Sequence, residues 1–168
     1  MQIEEIKLTD RLEEENNFID TSDEYIDIIL KRGNGNLTSS FFYNGKDYFY
    51  IFIGENGEIR KLEINIDLEK LKQVIEIKNP RLILIGQVRF SKIKFDIEGA
   101  FNYDEEFELH YEMSKNRLGC YFNENKNIDY GVQISDKIVV LIGENNIMKG
   151  ILINGKFKIE NDRFYYEK

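Results

Sequence analysis

The chain predicts an α+β fold: about ten short antiparallel strands in a curled sheet or partly closed barrel, with two helices packed against it. Three features point there. The first is a strand, turn, strand stretch that occurs twice, as DYFYIFIGENGEIRKLEIN over 47–65 and DKIVVLIGENNIMKGILIN over 136–154. Aligned without a gap at an offset of 89, the copies share Asp47/Asp136, Ile53/Ile142, Gly54/Gly143, Glu55/Glu144, Asn56/Asn145, Ile64/Ile153 and Asn65/Asn154. In each, an apolar run ends at Ile-Gly-Glu-Asn, where Gly and Asn adopt turn conformations that β-branched residues resist. The second feature is the strict apolar/polar alternation of 92–100 and 106–113, the period of a sheet with one face in water. The third is helical spacing around 22–32 and 67–77.

In chain order, residues 1–20 scatter Ile3, Ile6, Leu8, Leu12, Phe18 and Ile19 among charges, an acidic segment expected to be partly helical. Thr21 and Glu24 form a capping-box pair for a helix at 22–32, with Tyr25, Ile26, Ile29 and Leu30 inward and Gly33 as its stop. Gly33-Asn34-Gly35 follows a helix and precedes a strand, the reverse of a phosphate cradle. Two aromatic runs, 37–43 and 47–53, flank Asn44-Gly45 and predict a hairpin. Its second run puts Tyr48, Tyr50 and Phe52 on one face and Phe49, Ile51 and Ile53 on the other. Both faces being apolar, this strand is either covered on both sides or carries a docking platform on Tyr43, Tyr48 and Tyr50.

A strand at 58–65 completes the meander. Leu68, Leu71, Val74 and Ile75 then predict the second helix, ended by Asn79-Pro80. Strands follow at 82–90, 92–100 and 106–113, the last two paired through a turn near Asn102 to Asp104. Residues 114–130 read as a long polar loop with a short strand near Leu118 to Phe122. The second copy of the hairpin follows, and a last hairpin spans 156–160 and 163–166.

One ordinary core fits 168 residues, of which 42% are hydrophobic and 13% aromatic, and no linker interrupts them. A single domain is expected. Cys120 is the only cysteine, which excludes an intramolecular disulfide and a cysteine zinc site. With neither a signal-peptide pattern nor an apolar run of membrane-spanning length, a cytoplasmic protein of bacterial or phage type is expected, and the sequon at Asn36 is coincidental.

The net charge of −8 is unevenly placed. Residues 1–30 hold ten acids against Lys7 and Arg11, which gives −8, and residues 31–168 hold 21 acids and 21 bases. Without a basic excess, nucleic acid and anionic membrane are disfavoured as partners. An acidic front suits a basic protein surface instead.

Two constellations have the residue types for chemistry. Glu106, Glu108, His110 and Glu112 alternate along one strand and so share a face, a set of donors a divalent metal could use. Lys92 and Lys94, expected opposite, would neutralise the row, and no metal or other cofactor is assigned. Cys120 and His110 are each the sole residue of their type, but no elbow of small residues surrounds Cys120 to make it a nucleophile. The expectation is a non-enzymatic module that masks another protein, as an immunity protein, antitoxin or phage-encoded inhibitor does, acting as a monomer or small homo-oligomer. Glu13, Glu14, Glu15, Asp20 and Asp23 would steer the partner, and Tyr43, Tyr48 and Tyr50 would dock it. The alternative is a β-barrel holding a small apolar or aromatic ligand against the 48–53 strand. Removal of residues 1–20 would cripple the first and spare the second.

Overall fold

Alternation, not helical spacing, governs the stretch after Ser22. Ile26, Ile28 and Leu30 are 1%, 0% and 2% exposed, while Asp27 and Ile29 between them are half-buried, so the period is two. β-Branched isoleucines fit a pleated sheet better than a helix, and each finds a cross-strand partner. In the computed structural model, which describes residues 1–12, 18–21, 25–30, 38–44, 47–65, 71–74, 76–90, 100–103, 107–122, 127–160 and 163–166, the chain is mostly β. Among these residues there is no α-helix, and no barrel closes. The expected α+β class is therefore corrected. Residues 25–29 of the first expected helix and 72–74 of the second are strands, and the acidic segment contains strands in place of helix.

The strands in chain order are β1 (Ile3–Leu8), β2 (Phe18–Thr21), β3 (Tyr25–Ile29), β4 (Thr38–Asn44), β5 (Asp47–Ile53) and β6 (Ile59–Asn65). Then come β7 (Lys72–Val74), β8 (Ile83–Phe90), β9 (Ala100–Tyr103), β10 (Phe107–Glu112) and β11 (Arg117–Phe122). The last are β12 (Tyr130–Gln133), β13 (Ile138–Gly143), β14 (Ile147–Asn154), β15 (Phe157–Glu160) and β16 (Arg163–Tyr166). Short 3-10 turns at Met113–Lys115 and Glu144–Asn146 join β10 to β11 and β13 to β14. An eight-stranded sheet has the order β1-β8-β12-β13-β14-β11-β10-β7, a six-stranded sheet the order β2-β3-β6-β5-β4-β9, and β15 pairs with β16.

The repeat seen in sequence is a repeat of structure, distributed over two sheets. β2 to β6 lie in the order β2-β3-β6-β5-β4, and β10 to β14 in the matching order β10-β11-β14-β13-β12. Register agrees residue for residue: Phe49 faces Ile64 and Ile51 faces Leu62, as Ile138 faces Ile153 and Val140 faces Ile151. Both hairpins break register at the same place, between Phe52 and Ile53 and between Leu141 and Ile142, so a bulge bends each. Each also makes an isolated bridge just past its turn, Glu58 to Arg89 and Ile147 to Gln2. Outside each unit a parallel strand joins the edge, β9 beside β4 and β8 beside β12.

The turns themselves differ. The first needs Gly57, at φ +81°, because a Cβ there would strike the Phe90 carbonyl, whose own residue donates its N–H to Gly57 O at 2.9 Å. The second uses Asn145 and Asn146 at φ 57° and 55°, the non-glycine residue that tolerates this region best.

The inner faces of both sheets share one core. Ile26, Ile28, Phe49, Ile51, Leu62 and Ile64 from one meet Leu118, Cys120, Phe122, Val140, Ile151 and Ile153 from the other. Phe49 ties them, its ring centroid 5.5 Å from Phe122 and 6.3 Å from Phe107. Burying a side chain of this kind stabilises by roughly 1.5–3 kcal/mol. Tyr111 enters the same core and satisfies its hydroxyl by donating to Phe157 O at 2.6 Å, which ties β15 to β10.

Candidate functional site

Directly opposite residues of a sheet share a face, so register decides which side chains meet outside the core. On β5 the core takes Phe49, Ile51 and Ile53, and the opposite face presents Tyr48, Tyr50 and Phe52, all half-buried. Of the two sequence-based readings of this strand, full cover gives way to a half-exposed aromatic row. Tyr48 and Tyr50 meet edge to face with centroids 5.0 Å apart, and Tyr50 and Phe52 lie 5.9 Å apart.

Charge sits beside this row. Glu63 on β6 is opposite Tyr50, and Asp27 on β3 is opposite Glu63. Lys61 spans both carboxylates, 3.0 Å from Asp27 Oδ2 and 2.9 Å from Glu63 Oε2, with its ammonium 5.2 Å from the Phe52 ring centroid. The Tyr48 hydroxyl donates to Glu63 Oε1 at 3.5 Å. Burial alone would lower the Lys61 pKa, but the hydrogen bonds its ammonium donates to Glu63 and Asp27, with their charges, push it upward. Burial, then the charge of Glu63, raises Tyr50. Asp27 Oδ1 is buried without a hydrogen-bond partner among the described residues. The face thus offers aromatic area and two carboxylates against one ammonium.

Of the residues expected to bind a partner, Tyr48 and Tyr50 stand on this face. The register sets Tyr43 opposite Tyr48 and Asp20 opposite Asp27, in β4 and β2 of the same sheet. Glu13, Glu14, Glu15 and Asp23 lie outside the described residues. Among the other acids of the front, Glu4 and Asp10 are exposed, and Glu5 pairs with Arg89 at 3.1 Å on the surface. Asp27 and Glu5 are therefore engaged by the chain's own cations. Asp27, Phe52, Lys61 and Glu63 were missed as site residues. The alternation of Lys61 and Glu63 with Leu62 and Ile64, read with the hairpin register, was the signal for two of them.

The acidic row on β10 has another role. β10 pairs with β11 and, in parallel, with β7, and β9, whose Ala100 ends the stretch expected to pair with β10, pairs with β4. Residues 91–99 and Glu106 lie outside the described residues. Glu108 binds Lys72 at 2.9 Å and His110 Nε2 at 3.1 Å. Glu112, expected in solvent, is 1% exposed, and Met113, the next residue, is 61% exposed in the 3-10 turn. The cause is the segment 76–80, which crosses the outer face and seats Ile77 among Tyr121, Val139, Leu141 and Leu152. Glu112 accepts the Ile77 N–H at 2.9 Å and pairs with Arg117 at 2.5 Å and Lys115 at 3.2 Å. Burial opposes its ionisation, yet those donors outweigh it and hold the carboxyl at about 2. Among the described residues no cluster of His, Cys, Asp and Glu is arranged to hold a metal.

Cys120 and His110 fall on opposite faces of the sheet. Cys120 pairs in register with Leu109 and points into the core, where burial pushes its thiol pKa far up. The His110 ring packs outside against Tyr121, centroids 5.1 Å apart. No nucleophile and base meet here.

A groove of about 110 Å³, lined by Thr9, Leu30, Glu58, Val88, Arg89 and Ile134, borders the core, and an open depression of about 400 Å³ lies beside Glu4, Glu5 and Arg89. Neither is the lumen of a barrel, so the site expected for an apolar small ligand has no enclosure of that kind. Among the described residues no helix is long and apolar enough to cross a membrane. No protein-family model matches the sequence, and a search of curated proteins finds no match.

Proposed function

We propose that the protein is a non-enzymatic binding module that masks a partner protein with a basic surface, docking it on the outer face of the six-stranded sheet. One observation carries this reading. Tyr50, Phe52 and Glu63 are half-exposed, whereas Val139, Leu141 and Leu152, their counterparts at the same register positions of the second unit, are buried in a cluster with the chain's own Ile77, Val74 and Ile128. One copy of the face is occupied internally, and the other presents aromatics of the kind that anchor interfaces, with carboxylates beside them. The exposed Glu4 and Asp10, within a net charge of −8, support electrostatic steering of a cationic partner.

The test is purification of the tagged chain from its native host beside the Tyr50→Ser and Glu63→Lys variants, followed by calorimetric titration of the protein that wild type retains. Each variant is expected to weaken that protein at least about tenfold, and raising salt from about 50 to about 500 mM to slow its association about tenfold. Equal affinity of wild type and both variants would reject the face.

A further inference from the structure

The second unit shows how this face is occupied when it is occupied. Residues 76–80 lie across the outer side of the eight-stranded sheet as an irregular segment between β7 and β8. The fully buried aliphatic side chain of this segment, Ile77, settles on the strip made by Tyr121, Val139, Leu141 and Leu152, with Val74 and Ile128 packed beside it, and its backbone N–H reaches a carboxylate, Glu112. Cationic Arg117 completes the clasp. These are the contacts of a short extended peptide lying on a sheet: one anchor and one charge-assisted hydrogen bond.

The first unit repeats the platform without that segment's counterpart among the described residues. Tyr50 and Phe52 stand where Val139 and Leu141 stand, at the same offset of 89 and in the same register. Where the second unit has Leu152, the first has Glu63, and Asp27 neighbours it across the strands. Lys61 supplies a single positive charge to these two carboxylates, which leaves the face one negative charge in excess among the described residues. An occupant must therefore bring a cation where residues 76–80 bring apolar contact.

We infer that the outer face of the six-stranded sheet binds an extended segment of a partner chain, an aliphatic side chain seated on Tyr50 and Phe52 and an adjacent lysine or arginine donating to Asp27 and Glu63. This rests on the protein-binding reading above and narrows it from a basic surface to a linear basic motif.

The experiment follows backbone amide resonances of the full chain while a short blocked peptide, one isoleucine flanked by lysines, is added, with the glutamate-flanked peptide as control. Saturable shifts confined to β3, β5 and β6, at least about fivefold weaker in Asp27→Asn or Glu63→Gln and absent with the control, are expected. Tyr50→Ser keeps the test decisive where an acid variant does not fold. No shift, scattered shifts, or undiminished binding by a folded Asp27→Asn chain overturns the inference. So do shifts on these strands that follow the protein's own concentration, since the occupant is then a second copy. A host partner lost in Tyr50→Ser, with no peptide binding, overturns the linear motif and leaves the masking function. Peptide binding without any such partner has the reverse meaning.

Discussion

Glu112 shows how far one buried carboxylate can be pulled from its ordinary behaviour. Its folded pKa is lowered from 4.5 to about 2, so its contribution to stability is complete above the unfolded value and disappears as pH falls through about 2. The shift corresponds to about 3 kcal/mol at neutral pH. Glu112→Gln is expected to lose about that much by urea denaturation at pH 7 and to approach wild type as the pH nears 2. Tyr121 runs the other way. Burial is the main cause that raises its pKa to about 12, so it stabilises the fold fully below about 10, and that stability is lost as pH rises through about 12. Tyr121→Phe should therefore flatten the loss of the urea midpoint at alkaline pH. A midpoint that falls as steeply as in wild type would remove Tyr121 from that account.

At the scale of the element, turns and registers decide. Gly57→Ala forces an L side chain to φ +81° against the Phe90 carbonyl, and a loss of about 1–3 kcal/mol by thermal or urea unfolding is expected. Both repeated hairpins were legible before any coordinates, because Gly-Glu-Asn between β-branched runs has few other uses, and the alternation of β10 was equally plain. The helices were not. Tyr25, Ile26, Ile29 and Leu30 fit a helical face, but Ile26, Ile28 and Leu30 fit a strand face as well, and only the partners Ile64 and Leu62 arbitrate. The burial of Glu112 was illegible for a related reason: the segment that covers it comes from more than thirty residues away. For the binding face, Tyr48 and Tyr50 were found from their own strand, while Asp27, Lys61 and Glu63 required knowing which strands are neighbours.

For the whole molecule, the shared core makes the two sheets interdependent. Phe49→Ala removes the ring that touches both Phe107 and Phe122 and is expected to cost about 3–5 kcal/mol, lowering hydrogen-exchange protection in both sheets together. Protection lost in the six-stranded sheet alone would mean that the sheets unfold separately. The same connectivity changes how the acidic front must be tested. Deleting residues 1–20 removes β1, the partner of β8, and most of β2, so such a truncation reads folding before it reads steering. Glutamine at Glu13, Glu14 and Glu15 together keeps the strands, and if the front steers, the association rate with the partner falls several-fold while dissociation stays constant.

Cys120, sealed at 0% exposure between the sheets, gives the protein an internal clock. A thiol so placed meets an alkylating reagent only when the sandwich parts. Its labelling rate under native conditions therefore counts openings of the molecule, and anything that grips the outer face tightly should slow the count.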